Sequence, residues 1–184
     1  SYGDYNLLEN GTFDEGTYGW TKPEYVDSGS YQFVSSHSGR KNVLRIDGTL
    51  SLPRHVLSSE TNVTPSADYS YIVSGWAKAN SSNGFNENGA AFAIDVVLKY
   101  TDNTDDTFRF KFNPVYTGWQ SVTGIAVPKQ GKTVNEVAVY LIYDLNINSC
   151  YFDDICLTRG EASCYTYDEN GNVSKVVSNS KNTT

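Results

Sequence analysis

The stretch FAIDVVLKY, Phe92–Tyr100, decides how this chain must fold. Phe92, Ile94, Val96, Leu98 and Tyr100 fall on one side of an extended chain, and Ala93, Asp95, Val97 and Lys99 on the other. A helix would scatter both sets around its axis, whereas a strand keeps them on opposite faces. The apolar side needs a second layer, and a sheet of such strands finds it in another sheet. Asp95 is expensive to bury without a partner, so its face is expected to be wet.

The same texture runs outward in both directions. EVAVYLIYDL (Glu136–Leu145) sets Val137, Val139, Leu141 and Tyr143 against Ala138, Tyr140, Ile142 and Asp144. YSYIVSGWAKA (Tyr69–Ala79) turns Tyr71, Val73, Gly75 and Ala77 inward and leaves Ser74, Trp76 and Lys78 on the opposite face. Further strand-like runs are YQFV (31–34), NVLRIDG (42–48), RHVLSSETNV (54–63), DTFRFKFN (106–113), QSVTGIAV (120–127) and SCYFDDICLT (149–158). Clusters of Gly, Pro, Asn, Asp and Ser separate them. An opening strand at Asn6–Leu8, closed by an Asn10-Gly11 turn, brings the total to about ten, enough for two packed sheets. The fold class is all-β, a two-sheet antiparallel β-sandwich.

Composition narrows the function. The 184 residues suit one good-sized domain, and the net charge of −7 lacks the clustered Lys and Arg that a nucleic-acid backbone requires. No apolar run reaches membrane-spanning length, so membrane insertion is not expected. The chain has no Met, even at position 1, which reads as a processed or excised piece of a longer polypeptide. Fourteen Tyr residues and abundant Asn, Ser, Thr and Gly are typical of secreted β-proteins, although Tyr is also simply a good strand residue.

Of the three cysteines, Cys150 and Cys156 lie six apart on one apparent strand, roughly 20 Å and beyond disulfide reach. Their spacing does not suit zinc, and His37 and His55 supply no matching pair. They read as buried small hydrophobes, with Cys164 exposed. Past Arg159 the texture changes, and a boundary is expected near Gly160: a sandwich over 1–159, then a poorly ordered tail over 160–184.

NLLENGTFDEGTYGW (6–20), SSHSGRKNVLRIDG (35–48), YSYIVSGWAKA, GWQSVTGIAVP (118–128) and YFDDICL (151–157) together resemble the jelly-roll carbohydrate-binding modules of the grouping that holds families four, nine and twenty-two. The likeness spans Asn6 to about Thr158. YTYDENGNV (165–173) resembles the start of a tyrosine-aspartate (YD) repeat of the Rhs and wall-associated type. Together they imply a noncatalytic, sugar-binding jelly roll in a secreted or cell-surface bacterial protein, upstream of a YD-repeat shell. The alternative is a structural or adhesion sandwich that binds no sugar.

The first resemblance also points to sites. A sugar would lie on the concave sheet face against Trp76, Asp95 and Tyr140, with Arg45 and Lys99 nearby, or at the loop rim against Tyr25, Tyr31, Phe85 and Tyr116. Trp20 and Trp119 fall where the family places core aromatics. A structural calcium would join the two ends of the domain through Asn10, Asp14, carbonyls from Ser38 to Lys41, and Asp153, with Asp154 on the opposite face as second choice. No catalytic acid, base or nucleophile motif is present in the sequence, and an enzyme is not expected.

Overall fold

The structure, a computed structural model, describes residues 6–22, 31–50, 55–58, 61–80, 89–146, 148–159, 163–167, 169–170 and 173–178. Its strands are β1 (Trp20–Thr21), β2 (Tyr31–His37), β3 (Arg40–Asp47), β4 (His55–Ser58), β5 (Thr61–Ser66), β6 (Tyr71–Ala79), β7 (Ala91–Tyr100), β8 (Asp105–Lys111), β9 (Gln120–Ala126), β10 (Val134–Asp144), β11 (Ser149–Arg159), β12 (Ser163–Tyr167) and β13 (Val173–Ser178). One antiparallel sheet has six strands in the order β1-β4-β10-β7-β8, with β5 sharing the β4 edge of β10. The other has five, β2-β3-β11-β6-β9. The run expected as a single strand over 54–63 is divided between β4 and β5.

The two sheets bury the faces that alternation assigns. Phe92, Ile94, Val96 and Leu98 from β7 and Val137, Val139, Leu141 and Tyr143 from β10 meet Tyr71, Val73 and Ala77 from β6 and Phe152 and Leu157 from β11. Each large side chain so buried contributes about 1.5–3 kcal/mol. Phe92 lies 4.8 Å from Phe112 and edge-on to Tyr143 and Phe152. Trp20 is buried beside Phe13, ring centroids 4.9 Å apart, so it closes the core as expected.

Asn6–Leu8 is not a strand. Bends and turns occupy nearly all of residues 7–19, and β1 begins only at Trp20. The reason is the Asn10 side chain, which donates to the Gly16 and Tyr18 carbonyls and accepts from the Glu15 N–H, each at 2.9 Å. These three bonds close the loop around it, and Asn10 itself holds a left-handed φ of 54°.

This loop nevertheless meets the last strand of the sandwich. β3 pairs with β11 only over Ser149–Phe152, and the amino-terminal segment continues that edge. The Leu7 N–H donates to the Leu157 carbonyl and the Ile155 N–H to the Gly11 carbonyl. Between them the Asn6 side-chain amide imitates a strand residue, donating to the Ile155 carbonyl and accepting from the Leu157 N–H, both at 2.9 Å. A Cβ on Gly11 would collide with the Ile155 carbonyl, which explains the glycine. Here the pairing of β11 with β6 shifts register between Asp153 and Cys156, and Asp154 adopts φ 49°.

Two sequence expectations change beyond the sandwich. Cys150 is a free, buried thiol, but Cys156 is disulfide-bonded. The strand spacing ruled out only Cys150 as its partner. The segment expected as a poorly ordered tail contains an antiparallel hairpin, β12–β13. β13 approaches β6, an interior strand whose inward side faces the other sheet, so the hairpin crosses the outer face of the five-stranded sheet. Its turn brings the Glu169 carbonyl within 3.7 Å of where a Gly39 Cβ would stand.

Candidate functional site

The outer face of the six-stranded sheet carries a depression of about 340 Å³ lined by Asp95, Val97, Lys99, Asp105, Thr107, Tyr140 and Ile142. These are alternate residues of three adjacent strands, so the sheet itself holds them in place. Asp95 stands opposite Arg109 on β8 and opposite Tyr140 on β10. A second depression of about 220 Å³ shares Lys99 and Asp105 and extends to Tyr100, Asn103, Thr104, Asn135 and Glu136. The two form one trough along β7.

Its charges are largely paired. Arg109 donates through Nε and Nη2 to both oxygens of Asp95, at 2.8 and 2.9 Å. Asp95 is only 6% exposed, so the wet face expected around it is corrected: this bidentate pair offsets the cost of burial. The same hydrogen bonds push the Arg109 pKa up. Lys99 pairs with Glu136 at 3.3 Å. At the turn end, Lys132 pairs with Asp102 at 3.0 Å. The Thr104 hydroxyl and N–H, followed by Lys132, lower the Asp102 pKa to about 2.

The concave-face residues chosen from the sequence therefore divide between two sheets. Asp95, Tyr140 and Lys99 share the trough, with Tyr140 half-buried against it. Trp76 and Arg45 lie on the outer face of the other sheet, where Arg45 pairs with Asp47 at 2.8 Å. Alternation says which residues point outward but not which strands share a sheet.

Around Trp76 is a network that the sequence reading missed. The Arg40 guanidinium sits 4.5 Å over the Trp76 ring and 5.1 Å from that of Trp119. Its Nη1 reaches Asp153 at 3.2 Å and Asp154 at 3.0 Å, with the Arg40 side chain only 4% exposed. The bulge brings both consecutive aspartates to one cation, so Asp154 does not point away from Asp153 as alternation required. Burial, then the neighbouring Asp154, pushes the Asp153 pKa up to about 8 despite Arg40. Burial also raises Asp154. Trp119 is half-buried rather than core, and its indole N–H donates to the Ser38 carbonyl at 3.0 Å.

The rim candidates also separate. Tyr116 is 52% exposed. Tyr31 packs inward, edge-on to Phe33, and is corrected from rim to core margin. Tyr25 and Phe85 lie outside the described residues.

The calcium donors need revision on the same geometry. Asn10 spends its side chain on its own loop and its carbonyl on the Trp20 indole N–H at 2.9 Å. Ser38 gives its carbonyl to Trp119, and Asp153 faces Arg40. Asp154 shares Arg40 with Asp153 but is the more exposed of the two and lies near Asp14: the Asp14 charge helps raise Asp154, and Asn42 donates to Asp14 at 2.9 Å. Asn10, Phe13, Asn42 and Asp154, all with left-handed φ, belong to these converging segments. Among the described residues no three His, Cys, Asp or Glu side chains gather as a metal site. The two carboxylates fit calcium only with backbone carbonyls completing the shell.

Comparison with known proteins follows this geometry. Residues 5–144 match the family model described as a carbohydrate binding domain. A solved family 16 carbohydrate-binding module superimposes with a TM-score of 0.58 at 20% identity, covering 83% of this chain and 99% of that one. The module-and-catalytic-domain fragment of a Clostridium thermocellum xylanase, complexed with xylohexaose, gives 0.57 at 15% identity over 85% of this chain and 29% of that one. A family 61 module complexed with β-1,4-galactotriose gives 0.54 at 13% identity over 84% and 98%. At these identities the structures show the fold alone. No curated protein matches the sequence.

Proposed function

The chain belongs to the carbohydrate-binding domain family, and from that membership we propose that it holds a polysaccharide or glycan on the outer face of its six-stranded sheet. The larger depression of the trough carries this reading: it combines one aromatic ring, Tyr140, with hydrogen-bonding side chains fixed on three paired strands. A ring offers an apolar face to sugar C–H groups while carboxylates and amides take the hydroxyls. The opposite outer face is disfavoured because the hairpin crosses it and Arg40 occupies a face of Trp76.

The role is binding rather than catalysis. Asp95, the most buried carboxylate of the trough, has both oxygens held by Arg109, which removes it as a proton donor or nucleophile. Such a domain would tether a larger secreted or cell-surface protein to its glycan. The disulfide at Cys156 supports an oxidising, extracellular setting. The Tyr-x-Tyr-Asp likeness of 165–173 supports a place ahead of a YD-repeat shell, with the hairpin as the first piece of that β-structure.

Calcium at the clasp belongs to the same proposal. Asp14 and Asp154 would hold it, with carbonyl oxygens such as that of Lys41. It would neutralise their mutual repulsion and fasten the opening loop to β11, adding stability and no chemistry.

Affinity electrophoresis through gels containing a panel of soluble polysaccharides tests the binding proposal. Retardation by at least one glycan, lost in Tyr140→Ala with the melting temperature preserved, is expected. Migration unaffected by every glycan would instead favour the structural or adhesion reading.

A further inference from the structure

We propose that Cys156 is bonded to Cys164, and that this disulfide straps the β12–β13 hairpin across the outer face of the five-stranded sheet. That face thereby becomes the fixed attachment of the sandwich to the chain that follows it. The strap does not depend on where the sugar sits.

The number of cysteines leads to it first. The chain has three; Cys150 is a free thiol and Cys156 is disulfide-bonded. Cys156 is only 1% exposed, so a cysteine of another molecule could not reach it without displacing what covers it. Cys164 is what remains.

The path of β11 explains the choice. Cys150 stands opposite Ala79 on β6 and belongs to the core between the sheets. Six residues further along, strict alternation would bring Cys156 to that same side. The register shift between Asp153 and Cys156 prevents this: Asp153 opposes Trp76 and Cys156 opposes Ser74, both on the outer face. The bulge that turns two aspartates to Arg40 therefore also turns Cys156 away from Cys150.

The hairpin lies where Cys156 points. β12, which contains Cys164, approaches β11, and β13 approaches β6. At this end of the sheet the outward residues Ile72, Ser74, Cys156 and Thr158 are all buried, whereas Trp76 and Lys78 farther along β6 are half-buried. A two-stranded hairpin is marginally stable by itself, and a covalent tie to the sheet beneath restricts its freedom to lift. Closing the bond takes one proton from each thiol and passes two electrons to a second disulfide, carried by an oxidoreductase or a small oxidant, which leaves as two thiols. The chain beyond Ser178 then sets out from the five-stranded side, and the hairpin leaves the six-stranded face clear.

Peptide mapping without reduction tests the bond. Wild type is denatured at mildly acidic pH in excess N-ethylmaleimide, which caps free thiols before they exchange. It is then digested with trypsin and with a protease that cuts before aspartate, which separates Cys150 from Cys156. The expected products are two linked peptides, one carrying Cys156 and the other Cys164, and a Cys150 peptide carrying the maleimide. Maleimide on Cys164, or a link from Cys164 to Cys150, would overturn the inference. Limited trypsin digestion of the folded protein tests the strap. Cutting after Lys175, within β13, should rise at least about tenfold in fully reduced wild type and in Cys164→Ser, while circular dichroism shows the sandwich still folded. Cutting that is unchanged in both would show that the bond does not hold the hairpin down, and would overturn its role as a strap.

Discussion

Replacing Arg40 by methionine should destabilise the protein in a strongly pH-dependent way. Arg40 is almost fully buried, bonded to Asp153 and Asp154, and lies over the rings of Trp76 and Trp119. Burial disfavours both charges and one cation cannot neutralise two carboxylates, so the pair retains a proton well above the usual carboxylate range, and Asp153 is pushed up to about 8. The folded pKa exceeds the unfolded one. The stability Asp153 contributes is therefore full below about pH 4 and is lost as pH rises through about 8. Without Arg40 both carboxylates become harder still to ionise, so the deficit of the variant should widen along the same path. At pH 8 the buried aspartates lack their counter-charge, and the loss should be about 3–5 kcal/mol. For a chain of this size that is a fall of roughly 10 °C in melting temperature. At pH 5 both can remain protonated and the loss should shrink to about 1–2 kcal/mol, largely the cation–π contacts. Chemical denaturation of both proteins across pH 5–8 measures the gap. A constant gap, or one that narrows toward pH 8, would refute the reasoning.

Three more outcomes are expected. Asn6→Ala removes the amide that bonds Ile155 and Leu157 and should cost about 2–3 kcal/mol in urea denaturation, whereas a loss under about 0.5 kcal/mol would show that water substitutes for it. Arg109→Leu strands Asp95 and should cost about 1–3 kcal/mol, discounted for the partial exposure of the arginine; adding Asp95→Asn should recover most of it in a double-mutant cycle. Saturating calcium should raise the melting temperature of chelator-treated protein by roughly 5–10 °C, from about 2.7 kcal/mol at a hundredfold excess over Kd. That rise should vanish in Asp14→Asn and Asp154→Asn, and no rise in wild type would remove calcium from the clasp.

The sandwich was legible because it rests on local alternation. Phe92–Tyr100 and Glu136–Leu145 sort their residues to the faces they occupy, and Trp20 closes the core as expected. What failed was non-local. Nothing in the strand of Trp76 reveals that it pairs with β11 and β9 rather than with β7, so one imagined sugar face became two real ones. Arg109 was within reach: counting outward from the Asp102–Thr104 turn sets it opposite Asp95, and an acid facing an arginine need not be wet. Asn6 and Asp154 were not. A side chain substituting for backbone, and a bulge that turns two consecutive aspartates to one arginine, both break the period-two rule on which the reading relied.

The central claim is that sugar sits on the six-stranded face. Titrating isotope-labelled protein with an oligosaccharide of the retained glycan, and following backbone amide chemical shifts, tests it most directly. The largest changes should map to β7, β8 and β10 around Asp95, Thr107 and Tyr140, with β3, β6 and β11 unmoved. Shifts centred instead on Trp76 and its neighbours in β6 and β11 would contradict it.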